Sequence, residues 1–110
     1  MPVTTVDKVV ALSRDFGSQR RLAEMLGVNP AQVSRWHRGQ GIDEMNAVRV
    51  DLLELVMANL LRLYPMEAAE RWLLGLNPSL GDRRPLDLIR RGQARDVLDA
   101  IASERAGSFA

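Results

Sequence analysis

No cysteine occurs anywhere in this chain, and His37 is its only histidine. The first absence excludes disulfides and thiolate-held metals. The second leaves too few imidazoles for a histidine metal site and a single candidate base for Ser/His catalysis, so neither metal nor cofactor is expected. Aromatics are only 5% of a sequence that is 46% hydrophobic. A core can form, but Leu, Val, Ala and Met must build it. No apolar run is long enough to span a bilayer, and the stretch from Met1 to Asp15 lacks the apolar core of a signal peptide. A cytoplasmic protein with no membrane contact is therefore expected. Alternating β-branched stretches are also missing, which argues against strands.

What is present is helical spacing and unevenly placed charge. The 110 residues suit one compact unit, or a small unit with a mobile end. The net charge is +1. From Met1 to Ile42, Lys8, Arg14, Arg20, Arg21, Arg35 and Arg38 outweigh Asp7, Asp15 and Glu24. From Asp43 to Gly75 acids outnumber Arg49, Arg62 and Arg71, and the remainder is nearly balanced. A basic front suits a polyanion.

The spacing predicts an all-α chain. A first helix from Thr5 to about Asp15 buries Val6, Val9, Val10 and Leu12. Gly17 ends it, and Ser18 caps a second helix, Gln19 to Leu26. Asn29, with Pro30 next and Gln32 three residues on, starts a third helix to about Arg38. One long helix is predicted from Asp43 to Tyr64, apolar over most of its circumference and so covered by something beyond its own small domain. Helices from Pro65 to about Leu74, Pro85 to Gly92 and Gln93 to Ser103 follow, and the end from Ala106 should fray. The divisions expected are 1–42, a linking and dimerising helix 43–63, and 64–110.

The stretch "QRRLAEMLGVNPAQVSRW", Gln19 to Trp36, has the marks of a helix-turn-helix. Ala23 is small where two helices would cross closely. Gly27 permits the left-handed turn between them. Leu22, Leu26, Val28, Val33 and Trp36 pack inside the corner. Asn29, Ala31, Gln32, Ser34, Arg35 and Arg38 remain outside, the residue types that read base edges and phosphates. Gln19 could bond a phosphate beside the free amides of its helix, and His37 reads as a rim residue aiding phosphate contact. Val6 to Gly39 resembles the Xre/Cro-type repressor helix-turn-helix. One such unit makes few phosphate contacts, so a homodimer is expected to bind operator DNA, with the long helix as its seam.

The second motif is "NPSLGDRRPLDLIRRG", Asn77 to Gly92. Asn77-Pro78 opens a turn and Gly81 allows an unusual dihedral. Pro85 starts a short helix with Leu86, Leu88 and Ile89 on its apolar side. Arg83, Arg84, Arg90 and Arg91 flank it, a possible docking surface for carboxylates. From these residues alone, a solvated loop with an ordinary amphipathic helix fits as well.

The stretch "LNPSLGDRRPLDLIRRGQARDVLDAI" resembles the C-terminal toxin-binding domain of the Xre/MbcA/ParS antitoxins, with the family's pattern on Asn77, Pro78, Leu80, Gly81, Pro85, Leu86, Asp87, Leu88, Ile89 and Gly92. Trp72 matches the aromatic that precedes the Asn-Pro. The resemblance covers about Tyr64 to Ile101. It implies an antitoxin of a type II toxin–antitoxin system whose partner is a RES-domain, NAD-degrading toxin. It implies that the C-terminal module covers the toxin's active-site entrance, and that the helix-turn-helix represses the operon within a hetero-oligomer. Carried over by position, the toxin-facing candidates are Asn77, Pro78, Gly81, Arg83, Arg84, Pro85, Leu88 and Arg91, with Gly107, Ser108 and Phe109 at the chain end. Leu88, Phe109 and the Arg83/Arg84 pair read as anchors; Leu80, Leu86 and Ile89 read as module core.

Other readings stay open. A dimeric Xre-family transcriptional repressor without a toxin partner uses the same front motif, and the family name admits a centromere-binding role. Asp82, Asp87 and Asp96 could form a carboxylate pair. Yet no Gly-rich phosphate loop, metal spacing or nucleophile–base set accompanies them, and no enzyme is expected.

Overall fold

The computed structural model describes residues 4–108. The described residues form α1 (Thr5–Phe16), α2 (Gln19–Leu26), α3 (Pro30–His37), α4 (Glu44–Leu60), α5 (Met66–Leu74), α6 (Pro85–Arg90) and α7 (Ala94–Ser108), with a 3-10 turn at Pro78–Leu80. The fold is all-α; the sole strand-like feature among the described residues is an isolated bridge between Asn77 and Arg83. Two compact units divide the chain, 1–54 and 55–110, and α4 runs through the point of division.

The first unit is built from capped helices. Thr4 Oγ1 accepts from Asp7 N at 3.1 Å and Ser18 Oγ from Arg21 N at 3.0 Å, each satisfying an amide that the first helical turn leaves open. Asn29 and Gln32 form a capping box at the start of α3. Gly27 closes α2 at φ 72°, a left-handed conformation that costs a side chain but not glycine. Val9, Leu12 and Phe16 of α1, Leu22, Ala23, Met25 and Leu26 of α2, and Val33 and Trp36 of α3 are buried together. Val6 and Val10, expected in this core, are only half-buried. The buried face of α1 instead follows Val9, Leu12, Ser13 and Phe16.

Asp43 precedes α4 and holds its first turn. Its carboxylate accepts from Asn46 Nδ2 at 2.6 Å and from Asn46 N at 3.4 Å. Asn46 is buried and its side-chain Oδ1 accepts from the Arg49 guanidinium at 3.1 Å. The Asn46 hydrogen bond holds the Asp43 carboxyl below its ordinary range. A lowered carboxyl pKa stabilises the fold above that range, and the contribution is lost as pH falls through the folded value. Asp43→Ala should therefore lower the thermal midpoint at neutral pH, and the difference should vanish in strong acid, where the unaltered carboxyl is protonated too. Paired melts followed by circular dichroism check this.

The long helix ends at Leu60, not Tyr64: residues 61–64 are turns, with Leu63 N and Tyr64 N both bonding Leu60 O at 2.9 and 2.8 Å. Pro65 disfavours helical geometry at the residue before it, so the chain turns early. At the other end α7 continues through Ser108 instead of stopping at Ser103. Glu104, Arg105 and Ala106 are good helix formers and no proline follows.

Candidate functional site

Two surfaces carry the chemistry, one in each unit. In the first, α2 and α3 pack around Gly27 with α1 behind them. Val33 and Trp36 point inward, at 0% and 3% exposure. Ala31, Arg35 and Arg38 are exposed on the outer face of α3, Gln32 and Ser34 are half-buried, and Gln19 is exposed at the start of α2.

Several of these side chains already have work within the helix. Asn29 Oδ1 accepts from Ala31 N at 2.8 Å, and Gln32 Oε1 accepts from Asn29 N at 3.1 Å. Arg38 donates to Ser34 Oγ at 3.0 Å. The Asn29 oxygen is therefore a cap, and Gln32 has its amide nitrogen left as a donor. Arg35 extends from the outward face between Ala31 and Arg38. His37, read from sequence as a rim residue, faces inward: its Nε2 lies 2.8 Å from Ser13 Oγ on α1. Ser13 is 7% exposed, so this polar pair stitches the end of α3 to the first helix. Ser13 was not singled out from sequence, although its i, i+4 relation to Val9 puts it on the buried face.

In the second unit the segment from Asn77 to Arg84 is a tightly bonded loop. Asn77 organises it. Its Oδ1 accepts from Ser79 N at 2.9 Å, its carbonyl accepts from Leu80 N and Asp82 N, and its N–H donates to Arg83 O. Gly81 and Asp82 both adopt left-handed backbone, at φ 65° and 62°. Arg83 Nε donates to Leu80 O at 2.7 Å, and its guanidinium stands 3.7 Å from the Asp96 carboxylate. Arg84 Nε donates to Leu74 O at 3.0 Å, joining the loop to the end of α5. Both arginines thus brace the loop and remain exposed enough to meet another molecule.

Exposure corrects the list of toxin-facing candidates. Leu88 is fully buried in α6, and Pro85 is buried at its start. Neither offers a surface. Pro85, Leu86, Leu88 and Ile89 are all covered, because α5 and α7 both pack on the helix, and only Asp87 and Arg90 are left half-buried. Pro78, Gly81, Arg83, Arg84, Arg91 and Gly107 are exposed, and Asn77 is half-buried. Ser108 closes α7, while its side chain and the whole of Phe109 lie outside the described residues. Apolar area that Leu88 cannot supply comes instead from Leu74 and Leu76, 40% and 61% exposed, which sequence spacing did not distinguish from core leucines.

Among the described residues no group of three metal-ligating side chains comes together, and no helix is long and apolar enough to cross a membrane. The surfaces present hydrogen-bond donors, guanidiniums and exposed leucines, which is recognition chemistry.

The chain is similar to the mycobacterial cidal antitoxin MbcA of Mycobacterium tuberculosis and of Mycobacterium bovis. It is 30% identical to each over 100 residues, covering 90% of this chain and 88% of the relative. No family model matches the chain. No solved structure matches it either.

Proposed function

The chain belongs to the MbcA antitoxin family, and on that premise we propose that it neutralises a RES-domain, NAD-degrading toxin and represses the operon encoding the pair. The observation that carries this is the reach of the match: 90% of the chain aligns, so both surfaces lie in an antitoxin relative's length. The region 64–110 takes the toxin, the region 1–42 takes operator DNA, and the helix 43–63 links them.

An NAD-binding toxin needs an open cleft. A protein lying over that cleft excludes substrate without chemistry of its own. We assign the contact to Pro78, Gly81, Arg83, Arg84 and Arg91, with Leu74 and Leu76 as the apolar share. The chain end, Gly107, Ser108 and Phe109, is assigned to the cleft mouth. An interface of about 1,600 Å² with a few well-buried anchors reaches nanomolar affinity. Arginine suits it because its planar fork pairs with carboxylates through two bonds.

DNA recognition is assigned to Gln19, Ala31, Gln32, Arg35 and Arg38, with Asn29 and Ser34 holding their helix and its arginine in place. A homodimer doubles the phosphate contacts and sets the half-site spacing. Met45, Val48 and Leu55 on α4, 63%, 48% and 44% exposed, support a dimer seam there.

The test is direct. The purified RES-domain protein encoded beside this chain should consume NAD, and a stoichiometric amount of this chain should stop the loss. Continued NAD consumption with the chain present refutes the reading.

A further inference from the structure

The second unit holds an open cavity of about 320 Å³ that borders the surface assigned above, sharing Leu76 and Pro78 with it. It is bordered by Arg71 and Trp72 at the end of α5, the loop through Leu76 and Asn77, and Glu104 of α7. Trp72 is part-exposed, yet its Nε1 is shut off from solvent and has no acceptor among the described residues. An indole N–H so enclosed ordinarily has a partner, and leaving the bond unmade is unfavourable.

Charge narrows what fits. Arg71 and Glu104 both line the cavity, so their formal charges cancel. Glu104 also accepts a hydrogen bond from the Tyr64 hydroxyl. A lone carboxylate or ammonium gains at one wall what it loses at the other. An amide carries a donor and an acceptor together. Its C=O suits the indole N–H and its N–H suits the Glu104 carboxylate. A backbone peptide unit brings both groups whatever side chain it carries. At the rim, Leu76 offers an apolar face.

We propose that this cavity is a docking subsite for a loop of the protein partner, which places one backbone amide against Trp72 Nε1 and Glu104 and an apolar side chain against Leu76. The inference rests on the toxin-binding reading above. Because Nε1 is shielded in the free chain, a side chain at the cavity wall must move aside as the loop enters. The chain thus keeps an unmet donor until its partner supplies the acceptor.

Trp72→Phe keeps an aromatic ring and removes the N–H. Calorimetry with the RES-domain protein should show binding weakened about fivefold, the usual worth of one neutral hydrogen bond. The thermal midpoint of the free variant should be unchanged or higher, since an unmet donor is gone. Nuclear magnetic resonance on the unaltered chain gives an arm independent of the variant's folding. The Trp72 indole proton should move downfield on complex formation, while that of Trp36, buried in the first unit, stays. Equal affinity of W72F, or a stationary Trp72 resonance in the complex, overturns the inference alone. Absence of any complex with the unaltered chain overturns the toxin reading and the inference with it.

Discussion

Arg35→Glu is expected to weaken operator binding by on the order of 10²–10⁴-fold while toxin neutralisation stays intact. Arg35 is exposed on the outer face of α3, and its guanidinium makes no hydrogen bond or ion pair among the described residues. A well-placed arginine contact to a base or phosphate is worth about 1–3 kcal/mol, and a dimer makes it twice. At 1.4 kcal/mol per factor of ten the two contacts give about 30- to 10⁴-fold, and repulsion between the glutamate and the phosphates raises the lower end toward 10². Arg35 is a better probe than Gln32, because Gln32 Oε1 also completes the capping box and its loss would loosen α3 itself. A gel shift at fixed salt measures the first effect and the NAD-consumption assay the second. Operator binding by R35E equal to that of the unaltered chain removes α3 from the groove. Loss of both activities would mean that the two surfaces are not separable by unit.

Leu88→Ala is expected to weaken neutralisation by a different route, through destabilisation of the second unit. Leu88 is 0% exposed in a helix that packs against both α5 and α7. Truncating a fully buried leucine costs about 2–5 kcal/mol, from lost burial and the cavity left behind. Small units have a stability of only about 5–15 kcal/mol, so the loss is a large share. Thermal melts should show the second unit unfolding at a clearly lower temperature, with toxin binding lost over that same lowered transition. Arg91→Ala is the contrasting variant: exposed at the end of α6, it should change stability by about 0.5 kcal/mol or less and act on affinity alone. A fully stable Leu88→Ala with weakened binding would return Leu88 to the interface.

The contrast between Leu88 and Leu76 shows how far sequence reaches. Leu86, Leu88 and Ile89 sit within a six-residue helix, and their spacing takes in most of its circumference. Only Asp87 and Arg90, three positions apart and half-buried, make a polar side, and Leu88 lies away from it, which was itself a sign that Leu88 is core. Leu76 carries no comparable sign. It stands outside the helices, and only the course of the chain from α5 into the loop leaves it 61% exposed. Asn77 was singled out for the surface, and the loop instead uses its amide, its carbonyl and its side chain to hold itself together. His37 was read toward DNA; a serine 24 positions away turns it inward.

Helix starts and the turn between α2 and α3 could be read from residues alone, because the bonds that set them span five positions or fewer. Ser18, Gly27 and Asn29 act through their own neighbours, whatever the rest of the chain does. Tertiary structure decided which arginines brace the loop, which leucines face water, and that Trp72 encloses a hydrogen it does not share. Those outcomes depend on which elements lie against each other. Burial is a property of the packed neighbours, and a residue's own helix or loop does not contain them.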